Sequence, residues 1–494
     1  MSHSILSADF GSWFPFAWGT GQSMVFHSPQ FLFFFLALLA PYYVFKKGRL
    51  AILAIANLIF YGYAGIGPTS IFLLVTMISF ITVKLLRKPR LAWVFWVGVA
   101  VNLLNLAFFK YTFFFLNTWQ AVTGLPLGVR ADLAHSIILP AGISFYTFQL
   151  ISYIIDVRRG TMEPPKTLLH FWVYISLFPQ LVAGPILRGN ELMPQLYEIE
   201  RKRVRWQEIK YGMYLAFIGV IKKVVLADTL AQVADRLFAH ADTLSPIDAW
   251  TAAFAFGYQI YYDFSAYSDM ALGLGYILGV KLIINFDSPY ISGNPGEFWR
   301  RWHISLSRWI KDYIYISLGG NRRGWWRTQF NLFAAMVISG LWHGAMWTFV
   351  IWGAVHGLLL IFHKWTLYLN RWRFIAAVRS AMLYRIAAVF VFFHITMWTW
   401  VFFRAPSFHS AVAMTRNMLH VDWGAFYASP QMIWIAGLFL LHLFEYVIRH
   451  AERISGIVWH LFPAPFRGAV YAALALVVIY FMKGETYAFI YFQF

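Results

Sequence analysis

Residues 331–363 read NLFAAMVISGLWHGAMWTFVIWGAVHGLLLIFH, 33 positions without one Asp, Glu, Lys or Arg. Such a run belongs in hydrocarbon, where about 20 apolar residues make one crossing. It is too long for a single span and marginal for two, so a bent or broken helix pair is expected. His343 sits near the middle, flanked by Trp342 and Gly344, with Gly340 three residues before it and Trp347 four after. An ionisable side chain in this setting is costly to insert and therefore usually functional. The two glycines remove bulk beside the imidazole and allow close approach of another backbone or a substrate.

The rest of the chain has the same character. Of 494 residues, 60% are hydrophobic and 12% charged, against about 25% charged in soluble domains. Mean hydropathy is +0.59. These values describe an all-α polytopic membrane protein, with roughly ten or more transmembrane helices plus re-entrant and interfacial helices around a central cavity. The net charge of +19 is not read as a nucleic-acid surface. The basic residues fall mostly between apolar runs, where positive-inside topology accounts for them. The chain has no cysteine, which excludes disulfides, thiolate metal sites and an acyl-cysteine intermediate.

Residues 1–30 read as an interfacial segment, with a periplasmic N-terminus and no removable signal peptide. Apolar runs at 31–45, 50–66, 69–84, 91–116 and 134–155 are separated alternately by basic and weakly charged loops, which places the basic loops in the cytoplasm. The run 168–187 is bounded by arginines on both sides and contains Pro179, Gly184 and Pro185. A re-entrant, protein-covered segment is expected there. A span at 211–227 leads to an acidic loop, yet carries Lys222 and Lys223 near its end. Residues 249–284 return inward, and 285–330 form the most basic loop. Spans at 386–403, 431–448 and 468–482 follow. The whole chain, 1–494, reads as one integral-membrane domain.

A second informative stretch is NPGEFWRRWHISLSRWIKDYIY, 294–315. Asn294 as cap, Pro295 in the first turn and Glu297 predict a helix start. Along that helix Trp299 and His303 share a face. The pattern is that of an amphipathic interfacial helix, which leaves His303 unexplained. For His343 the residues alone leave four readings: a structural histidine, a metal ligand, a proton relay of a transporter, or a catalytic base. No HExxH supports a metal. His343 and His356 would point about 140° apart on a continuous helix. Burial favours the neutral imidazole, ready to accept a proton.

SGLWHG with WGAVHG after it, FWRRWHISLSRWIKDYIY, YYDFSAYSDMALGLGYILG, LPAGISFYTFQLISYIIDV, LFPQLVAGPI and FIYFQF resemble the membrane-bound O-acyltransferase family. More narrowly, the chain is similar to its bacterial alginate O-acetyltransferase branch. The resemblance implies a catalytic core over 139–365, with His343 as catalytic histidine and His303 as the second functional position. It implies acetyl-CoA as donor substrate and no permanently bound cofactor. It also implies an exported polysaccharide as acceptor, a periplasmic transferase or esterase-like partner, and the bacterial inner membrane as location. Relatives in the wider group act on cellulose, peptidoglycan or teichoic acids. Asp263, Ser268, Asp269, Trp299, Trp342 and Trp347 are candidates for lining the site. A mid-span carboxylate costs about 2.5–3.5 kcal/mol, so both aspartates should face a polar cavity or a partner. The rival readings are a proton-coupled transporter using His343 with Asp263 and Asp269, or a scaffold subunit in which the histidine is structural.

Overall fold

The computed structural model describes residues 24–125, 139–182, 184–451, 462–482 and 489–490. Every extended regular element among them is a helix. Six of these helices are long and apolar enough to cross a bilayer, or up to seven if the pair Pro29–Val44 and Lys46–Gly62, bent by 117°, counts as one broken span. Ten or more were expected; four further helices at expected crossings fall outside those six, Pro246–Leu278 and Trp325–His343 on apolarity and Ile143–Arg159 and Trp206–Ile221 on length. The 168–187 run becomes Leu168–Ser176 and Phe178–Leu181; the first, at 1.5 Å per residue, is too short to span about 30 Å of hydrocarbon. The expected 211–227 span is the helix Trp206–Ile221, loosened into a π-helical turn at Lys222–Ala227 and continued as Asp228–Phe238. Most of the expected interfacial segment, residues 1–23, lies outside the described residues.

The chain forms two compact units, Met1–Ala216 with Met270–Ile283, and Phe217–Asp269 with Ile284–Phe494. In the first, Ser28 accepts from the Phe31 amide at 3.1 Å and starts the helix Pro29–Val44. After the bend, the buried Arg49 donates to the carbonyls of Tyr42, Ile199 and Lys202 at 3.1, 3.4 and 2.6 Å. Each carbonyl gains a charged donor, which is what makes a buried guanidinium tolerable.

The second unit holds both candidate histidines. The helix Pro246–Leu278 has 33 residues, about 50 Å at 1.5 Å per residue and longer than a bilayer core. Its Asp263, Ser268 and Asp269 all fall in this unit. The 331–363 run is broken as its length demands: one helix covers Trp325–His343 and the next Trp347–Tyr368. The two pack backbone to backbone. A Cβ on Gly340 would lie 2.2 Å from the Phe349 carbonyl oxygen and 3.0 Å from Gly353 Cα, and one on Gly353 would lie 2.4 Å from the Met336 carbonyl oxygen. Close contact through small residues is the usual way helices associate where no hydrophobic gain separates lipid from protein.

Gly340→Val should therefore destabilise the protein by about 1–3 kcal/mol through overpacking, read as a lower thermal midpoint in detergent. Gly437→Ala, where a Cβ meets nothing within 4 Å, should leave the midpoint unchanged or slightly higher. Equal midpoints for the two variants would contradict the backbone contact.

Candidate active site

His343 is the last residue of its helix, and Gly344 leaves the helix fully extended at φ −157°, ψ 152°. A Cβ on Gly344 would collide with the Phe349 ring, so any larger residue would have to displace that ring. The two glycines expected to relieve crowding beside His343 thus do so in different ways. Gly340 admits the facing helix, and Gly344 admits an aromatic ring.

His303 is reached differently from the expectation of one continuous amphipathic helix. Asn294 does cap the start, accepting from the Glu297 amide at 2.8 Å, with Glu297 returning to accept from the Gly293 amide at 3.1 Å. The helix then covers only Pro295–Arg301 and resumes as Ile304–Trp309. His303 sits in the break at φ +43°, ψ 55°, one of two non-glycine residues with positive φ among the described residues. A left-handed residue with a full side chain costs on the order of 1–3 kcal/mol and persists only where its surroundings enforce it. Asn285 does the enforcing. Its carbonyl accepts from the Ile304 amide at 3.0 Å, and its side-chain Oδ1 accepts from the Ser305 amide and hydroxyl at 3.1 and 2.9 Å.

The same oxygen lies 3.2 Å from His303 Nδ1. Because a backbone amide can only donate, the Ser305 contact fixes the asparagine oxygen as an acceptor, and His303 must therefore carry its proton on Nδ1. Nε2 is then the lone-pair nitrogen. His303 lies outside the candidate spans, and burial pushes its imidazole down to about 3, so it is neutral at physiological pH.

The two histidines meet with ring centroids 6.4 Å apart. Trp342 lies beside both, 4.9 Å from His343 and 5.8 Å from His303. Trp352 and Phe403 each stand 5.2 Å from His343, and Phe264 packs edge-on against His303 at 4.7 Å. Trp299 lies one ring further out, 5.8 Å from Trp352. The structure thus gathers His303, His343, Trp299 and Trp342. Trp347, by contrast, is 53% exposed at the start of its helix.

Asp263 and Asp269 face cations. Asp263 pairs with Lys223 at 3.0 Å and accepts from the Ile490 amide at 2.8 Å; Lys223 also holds Asp228 at 2.8 Å. Asp269 pairs with Lys222 at 2.8 Å and Arg449 at 3.4 Å. Glu445 joins this second group through Lys222, Arg449 and the Tyr261 hydroxyl. Ser268 is buried between the two aspartates in sequence, and its hydroxyl has no hydrogen-bond partner among the described residues. Sequence reasoning missed Asn285, Trp352 and the ion-paired lysines as site-building residues. Lys222 and Lys223 had given a signal, since two adjacent cations in an apolar run demand buried counter-charge. No group of three or more His, Cys, Asp or Glu among the described residues is placed to hold a metal ion.

The family model of membrane-bound O-acyltransferases matches residues 165–405, a range that includes both histidines. A probable alginate O-acetylase of Pseudomonas putida is 41% identical over 410 residues, 81% of each chain. A peptidoglycan O-acetyltransferase of Helicobacter pylori is 35% identical, covering 81% of this chain and 80% of that one. A teichoic acid D-alanyltransferase of Bacillus subtilis is 27% identical over 56% of this chain and 71% of its own.

Asn285→Ala removes the acceptor shared by His303 and Ser305. It should lower stability by about 2–3 kcal/mol, the sum of the lost hydrogen bonds and the donors left buried, seen as a lower unfolding midpoint in detergent. An unchanged midpoint would show that the left-handed His303 does not depend on this side chain.

Proposed function

Because the chain belongs to the membrane-bound O-acyltransferase family, within its alginate O-acetylase-like branch, and is therefore an O-acyltransferase, we propose that it moves an acetyl group from cytoplasmic acetyl-CoA to hydroxyls of an exported, alginate-like polysaccharide, through a periplasmic partner transferase. The observation that carries this reading is the pairing of two buried imidazoles, 6.4 Å between centroids, in an aromatic enclosure. A separation of this order leaves room for one small reacting group within hydrogen-bond reach of both rings.

In this scheme an acceptor hydroxyl attacks the thioester carbonyl. A C–O bond forms, the C–S bond breaks, and the hydroxyl proton passes by way of His343 to the departing thiolate, giving free CoA. His303, with Nδ1 committed to Asn285, offers a lone pair at Nε2. It cannot donate to the thioester carbonyl; it suits positioning the acceptor through a donor other than the reacting O–H, whose proton His343 takes. Trp342 shapes the space between the rings. Asp263 and Asp269 are closed into ion pairs, which supports acyl transfer over the rival proton-coupled transporter, where open carboxylates along a path would be wanted. The greater identity to alginate O-acetylases than to the peptidoglycan enzyme favours an alginate-like acceptor. Arg322, Arg323 and Arg327 are exposed and suit the phosphates of CoA on the cytoplasmic side.

In proteoliposomes given acetyl-CoA and a hydroxyl acceptor, His343→Ala should reduce CoA release by about 10²–10⁴-fold with the unfolding midpoint kept. Release at the wild-type rate would overturn the assignment of the base. The chain has no native cysteine, so Arg322→Cys gives a single thiol. It should react in intact cells only with membrane-permeant reagents. Labelling by an impermeant maleimide would reverse the proposed orientation.

A further inference from the structure

His356, on the helix Trp347–Tyr368, is fully buried and has no part in the scheme above. Its Nε2 lies 3.2 Å from the Thr399 hydroxyl. That hydroxyl already donates its proton to the Thr396 carbonyl at 2.7 Å, so it can only accept from His356. The neutral ring therefore carries its proton on Nε2, and Nδ1 is a buried lone pair. Nδ1 has no hydrogen-bond partner among the described residues, and neither has the indole nitrogen of Trp299 or of Trp352. The three rings form a triangle with centroid separations of 4.7 Å (Trp352–His356), 5.2 Å (Trp299–His356) and 5.8 Å (Trp299–Trp352). Trp352 at one corner is also 5.2 Å from His343.

Three buried polar atoms in one aromatic triangle are costly unless something satisfies them. The set consists of one acceptor and two donors on three rings packed edge to face. A secondary amide beside the rings complements it: its N–H meets the histidine lone pair and its C=O meets an indole N–H. The position favours the acyl donor over the hydroxyl acceptor. Two turns beyond His356, Lys364 reaches Asn321 of the basic 311–327 stretch at 3.4 Å, so His356 lies between His343 and the end of the helix where a polyanionic carrier would dock.

We propose that His356 is a binding residue for the acyl donor, accepting a hydrogen bond from an amide N–H of its carrier arm. This rests on the donor assigned under Proposed function. The test uses the full chain in proteoliposomes and two small donors, S-acetyl-N-acetylcysteamine and the analogue with an ester oxygen in place of its amide N–H. The wild type should prefer the amide by about 5- to 100-fold in kcat/KM, the effect of one buried hydrogen bond made or lost. His356→Gln keeps a donor toward Thr399 but lacks the second nitrogen, and should use both thioesters equally while raising KM for acetyl-CoA more than it lowers kcat. His356→Asn places an oxygen near the position of Nδ1 and should restore the preference. Equal use of both donors by the wild type, or a preference retained in His356→Gln, would overturn the proposal while leaving the acetyl-CoA reading intact. A wild type that releases no CoA from acetyl-CoA would overturn both.

Discussion

Two helices touching through their backbones at Gly340 and Gly353 are the constraint on which the candidate site depends. The contact brings the Trp347–Tyr368 helix as near to Trp325–His343 as two polypeptide chains can pack, with glycine on each side of the seam. Only at that distance does Trp352 reach His343 from the opposing helix. The helix break at 344–346 then places His343 at a helix end rather than mid-span. A continuous helix would have turned His343 and His356 away from each other; the hairpin folds both onto the Trp352 indole.

A second constraint acts on the other histidine. His303 occupies a backbone conformation that its side chain disfavours, and Asn285 holds it there through main-chain and side-chain oxygens together. One oxygen atom fixes the loop, the ring orientation and the tautomer at once. This economy has a physical basis: inside an apolar interior each polar atom must be satisfied, so the group that satisfies several of them also sets their geometry. The buried carboxylates follow the same rule in charged form. Lys223 is shared by Asp228 and Asp263, and Asp269 is shared by Lys222 and Arg449, so no buried carboxylate in these groups stands without a cation.

Much of this is legible in the sequence. The charge-free 331–363 run announced a broken helix pair, because its length conflicts with a single span. The Asn294–Glu297 signature located a helix start to the residue. What escaped was everything that depends on non-local partners. The helix beginning at Pro295 reads as amphipathic through His303, and local propensity gives no sign that Asn285, eighteen residues earlier, will pull the chain out of it. His343 and His356 point about 140° apart on a continuous helix, and only the break at 344–346 brings both to the Trp352 ring. Asp263 and Asp269 were recognised as needing partners, but Lys222, Arg449 and the Ile490 amide are distant in sequence. The span count likewise turns on helices such as Pro246–Leu278 and Trp325–His343, which are long enough to cross but fall short of the six in apolarity.

The most direct test of the account is a structure of the full-length protein in a lipid nanodisc with an acetyl-CoA analogue whose thioester sulfur is separated from the carbonyl by a methylene, so that it cannot transfer. The account predicts the carbonyl carbon between His303 and His343, with no hydrogen bond from His303 to its oxygen, and with the carrier arm passing the Trp299–Trp352–His356 triangle. An analogue bound with its carbonyl remote from both imidazoles would contradict it.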